Sequence, residues 1–422
     1  MKAVILVAGS GKRLRPLTYT RPKPMIPIAG KPLLQIILEL LKENAGISDI
    51  FLIVGHEQEQ ISGYFQDGSQ FGLNIQYITQ GEQLGTGHAA LCAKGAIQSE
   101  SFLLMNGDIL ISGKVLTGLI KKYESLPQSS LISIIKAPDP SIYGIVKFDK
   151  DSEDAIKIIE KPKGKEISGD PWTNAGLYIF NQKIFDAIQK TSKSPRGEIE
   201  ITDSIQILIN QGESIKIHKI EDYWLDLGKP WDLLDANRYL LNQIEPKMQG
   251  TVEENVKIIG KVGIGKGTIV RSGSYLVGPL FIGENSDLGP NCYIRDSCSI
   301  GNNVRIGNAC EIKNSIIFDH STIPHLSYVG DSVIGSHVNL GAGTITANLR
   351  FDKKTIQVLI KGERMDSGRR KMGTMIGDFS QTGIGATIMP GVKIGPHSIV
   401  GSNATVFEDV PPNSVFMGKK RD

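Results

Sequence analysis

Residues 280–312 read Leu280-Phe281-Ile282-Gly283-Glu284-Asn285-Ser286-Asp287-Leu288-Gly289-Pro290-Asn291-Cys292-Tyr293-Ile294-Arg295-Asp296-Ser297-Cys298-Ser299-Ile300-Gly301-Asn302-Asn303-Val304-Arg305-Ile306-Gly307-Asn308-Ala309-Cys310-Glu311-Ile312. An aliphatic side chain returns at every sixth position, a small residue stands two places before it, and glycine often follows it. A helix repeats every 3.6 residues and a single strand every two. A period of six therefore describes short extended segments joined by regular corners. Three segments make one triangular coil of about 18 residues, with the aliphatic and small columns pointing inward. The expected fold of this half is a parallel β-helix, with glycines easing the corners.

The count extends back through Leu276, Val270, Ile264 and Ile258 to Val252. It resumes in a new phase at Ile334 and Leu340, skips a segment, and returns at Ile376, Thr382, Ile388, Ile394, Val400 and Val406. Residues around 346–375 are expected to form a loop thrown out of the stack. The same columns account for Cys292, Cys298 and Cys310 as inward packing residues, without a disulfide or metal framework. Glycine composition marks the division of the chain, because 25 of its 47 glycines fall in the last 173 of 422 residues. All three tryptophans lie in the earlier part.

From Met1 to about Gln243, apolar runs alternate with helical patterns. Ala3–Val7, Ile50–Val54, Ile75–Ile78 and Phe102–Met105 read as strands, and Leu33–Lys42 and a segment from Gly87 read as helices. That alternation predicts a mainly parallel α/β sheet, which places its ligand loops at the C-terminal ends of the strands. The expected division is 1–243 for this domain, 244–251 for a linker and 252–422 for the β-helix.

A net charge of +3, from 47 basic and 44 acidic residues, points to neither nucleic acid nor an anionic membrane as a partner. No apolar run approaches 18 residues and the N-terminal run is too short for a signal peptide, so a cytoplasmic location is expected.

The loop after the first strand reads Ala8-Gly9-Ser10-Gly11-Lys12-Arg13-Leu14-Arg15-Pro16-Leu17-Thr18, followed by Pro22-Lys23-Pro24-Met25. Its spacing fits neither a dinucleotide fingerprint nor a Walker loop. Glycines that expose backbone N–H groups, fixed cations at Arg13 and Lys23, and stiffening prolines together suit phosphate.

This loop resembles the signature of sugar-1-phosphate nucleotidylyltransferases. The resemblance continues through Gln80-Gly81-Glu82-Gln83-Leu84-Gly85-Thr86-Gly87-His88, Asn106-Gly107-Asp108, Tyr143-Gly144, Glu160-Lys161-Pro162, Asn174-Ala175-Gly176-Leu177-Tyr178, Arg196-Gly197-Glu198-Ile199-Glu200-Ile201-Thr202-Asp203 and Trp224-Leu225-Asp226-Leu227-Gly228. It implies a Rossmann-like domain that transfers a nucleotidyl group and expels pyrophosphate. On this likeness Ala8, Gly9, Gly11, Gln80, Gly85 and Thr86 bind the nucleotide, and Arg13 and Lys23 are catalytic. Asp108 and Asp226 hold Mg²⁺, while Gly144, Glu160, Lys161, Asn174 and Tyr178 line the sugar phosphate pocket. His88 is expected at a helix start and His56 in a loop, both structural. The Glu198–Asp203 and Trp224–Gly228 segments are similar to thymidylyltransferases, which leaves UTP and dTTP both open.

The β-helix half resembles the acetyltransferase domain of an archaeal-like, bifunctional GlmU-type family, through Ser321–Asp331 and Asn339–Asn348. That likeness implies left-handed hexapeptide coils, acetyl-CoA as co-substrate, glucosamine-1-phosphate and N-acetylglucosamine-1-phosphate as substrates, and a homotrimer. His325 is the implied base, with Glu311 orienting it. Arg295, Lys313, Tyr328, Asn339 and Lys354 are the implied substrate ligands, and Ala342 and Asn348 face acetyl-CoA. The family's serine near the thioester falls at Ile384, and the 346–375 loop is longer than in bacterial relatives. Arg369, Arg370, Lys371 and the terminal Lys419-Lys420-Arg421 are candidates for CoA phosphates or for a solvated tail. His320, His337 and His397 are expected on the surface. Two other readings remain: a monofunctional nucleotidylyltransferase with a structural coil, and a non-catalytic interaction subunit of the same folds.

Overall fold

The computed structural model describes residues 1–55, 58–98, 101–126, 129–162, 167 and 169–418. His56, Lys419, Lys420 and Arg421 lie outside them. Two units separate by their contacts: Met1–Ser10 with Leu34–Asp226, and Gly11–Leu33 with Leu227–Asp422.

The first unit is built on a mixed nine-stranded sheet. Lys2–Leu6 runs parallel between Asp49–Val54 and Ser101–Asn106, and Asn74–Thr79 extends the parallel run beyond Asp49–Val54. Thr173–Asn181 then joins antiparallel to Ser101–Asn106 and links to Ser130–Ile135 and Gly144–Phe148. The central strands read as unbroken apolar runs because both faces are covered; Val4, Ile5, Leu52 and Leu104 are fully buried. Helix Leu33–Ala45 presents Leu34, Ile37, Leu38 and Leu41 inward at helical spacing. Each such burial is worth about 1.5–3 kcal/mol. Leu6, Val54, Thr79 and Asn106 all end parallel strands on one edge, from which the ligand loops depart.

In the second unit the chain from Thr251 winds into a left-handed parallel β-helix whose three faces contain nine, eight and seven strands. Ile264, Ile282, Ile300, Ile317, Ile334, Ile376 and Ile394 form one inward column, each at most 1 % exposed. Val252 and Ile258, in the first coil, are only partly covered. The small column does more than fill space. Ser286 donates to Gly301 O at 3.0 Å and accepts from Val304 N at 3.0 Å, and Ser321 does the same with Gly335 O and Val338 N. Buried hydroxyls thus satisfy corner backbone from one coil to the next.

The repeat does not stop between Ile312 and Ile334. Ile317, Ile323 and Val329 continue the inward column, and the new phase comes from two corners of five residues, Ile312 to Ile317 and Val329 to Ile334. Paired strands stand 18 residues apart at Ile294 and Ile312 but 17 apart at Ile312 and Val329. At the next corner of the same edge, residues 347–374 leave the coil and form the hairpin Gln357–Ile360 with Glu363–Asp366. The coil closes beneath it, Val333 pairing directly with Met375.

Glycine eases part of these corners as expected, Gly267, Gly273, Gly343 and Gly385 taking left-handed conformations, and it serves a second purpose as well. A Cβ on Gly283 would stand 2.7 Å from the Gly301 backbone, so the residue permits close stacking of coils. Many of the left-handed corner conformations are instead taken by Asn285, Asn291, Asn303, His320, His337 and His397, since a short polar side chain tolerates positive φ. Those three histidines are exposed, as expected. Cys292, Cys298 and Cys310 are buried, and burial pushes the Cys298 thiol up to about 12.

Candidate active sites

In the first unit, the strand Ser101–Asn106 ends in a turn carrying Asp108, and the chain returns as Ile109–Ile111. This short strand pairs antiparallel with Trp224–Asp226, in a register that sets Asp226 opposite Ile109. Asp226 therefore stands at the end of the ladder opposite Ile109, and Asp108 immediately precedes that end. Two carboxylates so placed, with coordination positions left for phosphate oxygens and water, fit the donor preference of Mg²⁺. Tyr143, which stands in a family motif without an implied role, donates to Asp226 Oδ2 at 3.2 Å and packs edge-on to Trp224.

At the nucleotide end, Gln80 is buried with Nε2 3.3 Å from Gly85 O and 3.0 Å from His88 Nδ1. His88 stands in helix Thr86–Leu91. Thr86 Oγ1 accepts from Ile201 N, and Gly87 N donates to Ile199 O. The loop of residues 80–87 is thereby fastened to the Glu198–Thr202 segment. Gln83 Nε2 donates to Ala8 O at 2.7 Å, tying the same loop to the end of the first strand; Gly9 follows, exposed.

At the sugar end, a Cβ on Gly144 would meet Glu160 Oε2 at 2.9 Å. Burial raises the Glu160 carboxyl above its usual range, against the Thr202 hydroxyl, which donates to it at 3.1 Å, and Arg196. Lys161 is exposed, with its backbone N–H on Tyr143 O. Tyr178 departs from its expected place. It is 1 % exposed and stacked on Phe180, and Asn174 donates to its hydroxyl at 2.6 Å. Of these two, Asn174 is the partly exposed one, and Tyr178 fixes it from beneath.

The loop Gly11–Leu33 packs within the second unit. Gly11 adopts φ 60°, with Thr18 Oγ1 donating to its carbonyl at 2.9 Å. A Cβ on Gly11 would stand 3.1 Å from Lys23 Cβ, and Lys23 is buried. The Arg13 guanidinium lies so close over Gly228 that a Cβ there would be 3.0 Å from it. Both side chains are thus packed closely against neighbouring backbone.

The second constellation lies along one β-helix face, where Tyr293, Glu311 and Tyr328 occupy successive rungs. Arg295 pairs with Glu311 at 2.9 Å, so Glu311 holds Arg295 within this chain. The two five-residue corners bring Lys313, Asn314 and Asp331 together. Asp331, missed as a candidate, is buried and accepts from Asn314 at 2.7 Å and from Asn348 at 2.6 Å, with Lys313 Nζ at 3.4 Å. Asn348 also donates to the Tyr328 hydroxyl at 3.0 Å, which places it with the implied sugar ligands. The sequence signal for this cluster was the lost residue at each corner.

His325 ends the strand Thr322–His325, exposed, just before Tyr328 on the neighbouring face. Asn339 follows one coil later, its strand pairing with Thr322. Lys354 is exposed at the base of the hairpin. Ala342 gives its carbonyl to Gly385 N, beside the exposed Ile384. Arg369 is engaged with Asp235 at 2.6 Å, whereas Arg370 and Lys371 are exposed. No cluster of three metal-ligating side chains occurs among the described residues.

Residues 2–243 match the nucleotidyl transferase family, 276–364 the GMPPB C-terminal domain, and 373–408 the bacterial transferase hexapeptide (six repeats) family. The bifunctional protein GlmU of Methanococcus maripaludis is 43 % identical over all of this chain and 98 % of its own. A bifunctional sugar-1-phosphate nucleotidylyltransferase/acetyltransferase of Sulfurisphaera tokodaii is 43 % identical over 99 % of this chain and all of its own. A crystal structure of UDP-glucose pyrophosphorylase with UDP-glucose, 24 % identical, covers 58 % of this chain and 99 % of its own at a TM-score of 0.52, and shares the fold of the first half.

Proposed function

Because the chain belongs to the bifunctional GlmU family of nucleotidyl transferases, we propose that it acetylates glucosamine-1-phosphate and then uridylylates the product, yielding UDP-N-acetylglucosamine and pyrophosphate. The enzyme is a transferase with a nucleotidyltransferase half and a hexapeptide acetyltransferase half. The observation that carries the reading is that the chain aligns end to end with bifunctional relatives.

In the second half, His325 takes the proton lost by the sugar amine as nitrogen attacks the acetyl carbonyl of acetyl-CoA and the CoA thiolate departs. Arg295, Lys313 and Lys354 hold the sugar phosphate, Tyr328 and Asn339 orient the ring with Asn348 on the Tyr328 hydroxyl, and Ala342 borders the acetyl-CoA. In the first half, a sugar phosphate oxygen attacks the α-phosphorus of the nucleoside triphosphate, and pyrophosphate leaves. Arg13 neutralises the leaving phosphates and Lys23 the phosphate of the sugar. Gln80, Gly85 and Thr86 read the base, and Glu160, Lys161 and Asn174 hold the sugar. Mg²⁺, when bound at Asp108 and Asp226, supplies positive charge against the phosphate oxygens. The work of this half is positioning and charge neutralisation.

Left-handed coils of this kind suit a homotrimer, and no described helix is long and apolar enough to cross a membrane. The deciding experiment is a matrix of UTP and dTTP against sugar-1-phosphates, with and without acetyl-CoA, reading pyrophosphate and free CoA. The proposal expects both products, CoA release only with an amino sugar, and loss of CoA release alone in His325→Ala. CoA release that survives His325→Ala would remove His325 as base, and no CoA release in the wild type would leave a monofunctional enzyme.

A further inference from the structure

The β-helix corners follow a rule. At one edge of the coil, Asn302, Asp319, Ser336 and Asp378 occupy the same position in successive turns. Asn302 Oδ1 accepts from Glu284 N, Asp319 Oδ1 from Asn302 N, and Asp378 Oδ1 from Ser336 N, each at 2.8 Å. At three of these four corners a side-chain oxygen therefore caps the coil before it, while the Ser336 hydroxyl faces Arg21. Asp378 has a second oxygen, and that oxygen leaves the coil: it accepts from Thr20 Oγ1 at 2.8 Å and from Arg21 Nη2 at 2.5 Å.

Arg21 is held on three successive coils. Its guanidinium lies 4.8 Å over the buried Phe318 ring, donates to Ser336 Oγ at 2.9 Å, and pairs with Asp378, whose side chain is 4 % exposed. The corner itself is stiff. Phe379, at φ 61°, stacks between His337 and His397 with centroids 4.8 Å apart on either side. A bulky residue is strained at positive φ, and here the stack fixes it. Thr20 and Arg21 stand between Arg13 and Lys23 in a loop stiffened by Pro16, Pro22 and Pro24.

We propose that Asp378 is a positioning residue for nucleotidyl transfer: through Thr20 and Arg21 it moors the phosphate loop, with Arg13 and Lys23, to the β-helix. The inference rests on the reading of that loop as phosphate-handling. It makes the second half a structural partner of the first reaction, in addition to the site it carries. The moored loop needs no ordering when triphosphate binds, and a displacement of about 1 Å in such a group costs on the order of a hundredfold.

The test is Asp378→Asn, which keeps Oδ1 for Ser336 N and replaces the acceptor facing Arg21 by a donor. Arg21→Gln cuts the same link from the loop side and leaves the Asp378 cap on Ser336 N in place. Both are expected to lower kcat for pyrophosphate release about tenfold or more, with KM for the sugar phosphate changed far less. CoA release in the same preparations should stay at the wild-type rate. The double variant should be no slower than the slower single one. A wild-type kcat for pyrophosphate release in either variant, or effects that multiply in the double variant, would overturn the mooring. A wild-type chain that releases no pyrophosphate with any substrate pair would instead remove the reading of the loop, and this inference with it.

Discussion

Asn348 and Asp331 are joined by a 2.6 Å hydrogen bond at the edge of the coil where the regular corner gives way to the hairpin. The bond supplies a buried carboxylate with one of its donors and turns the Asn348 amide toward the Tyr328 hydroxyl. Asn348→Ala should leave Asp331 short of a donor, at a cost of about 1–3 kcal/mol in urea unfolding. It should also depress CoA release while pyrophosphate release stays unchanged. Unaltered CoA release would detach this cluster from the acetyl transfer site.

Gly144 and Glu160 leave no room for a methyl group, given the 2.9 Å to Oε2. In Gly144→Ala the carboxyl must swing away from Thr202. The expected result is a rise of about tenfold in KM for the sugar-1-phosphate in pyrophosphate release. CoA release is the control and should not move.

Asp108→Asn and Asp226→Asn each remove a hard anionic donor from the ladder between Ile109–Ile111 and Trp224–Asp226. Pyrophosphate release at fixed Mg²⁺ should drop by at least about a hundredfold in either variant, the scale for losing a preorganised electrostatic contact. Excess Mg²⁺ should recover part of the loss, because Asn keeps one neutral oxygen. An Asp108→Asn enzyme with wild-type turnover and Mg²⁺ dependence would exclude that residue as a ligand.

His218 predicts an acid limit for the first unit. Burial lowers its imidazole to about 4, while its hydroxyl partner Ser133 lies 3.1 Å from Nδ1. A folded-state value below the unfolded one favours the neutral ring in the fold. The stabilisation is thus complete above about pH 6.5 and is lost as pH falls from there towards 4. It amounts to about 3 kcal/mol at most. Urea midpoints measured between pH 4 and 7 should fall less steeply for His218→Gln than for the wild type; parallel curves would dismiss the effect.

Particular residues show how far the sequence could be read. The inward column from Ile264 to Ile312 was visible because a β-helix has one interior and repeats the same packing problem at every corner. Ile317, Ile323 and Val329 were hidden only because two corners each lack one residue, and a fixed count of six steps over them. The strands Lys2–Leu6, Asp49–Val54 and Ser101–Asn106 were legible from their apolar runs. The antiparallel insertion of Thr173–Asn181 was not, since pairing direction leaves no mark on a strand buried on both faces. Among site residues, Asp108 and Asp226 stood out by motif, yet their proximity depends on a register 118 residues apart in the chain. Tyr178 carried the family's pattern, but burial beneath Asn174 is a tertiary fact. Nothing in the sequence around Asp378 sets it apart; only the three-dimensional path of Arg21 distinguishes its second oxygen.

Val333 meets Met375 as squarely as Ile316 meets Val333, although 42 residues separate the first pair and 17 the second. The interior does not register what is inserted between those rungs. The hairpin of residues 347–374 is therefore an insertion the rungs accommodate without a change of register, and it is fastened to the coil at its base by Asn348 on Asp331 and by the buried Ile356, Val358 and Met372. Its exposed far end, Lys361 to Arg364, is free to change length or sequence without touching a buried side chain, so the continuous interior and the variable rim are separable within one chain.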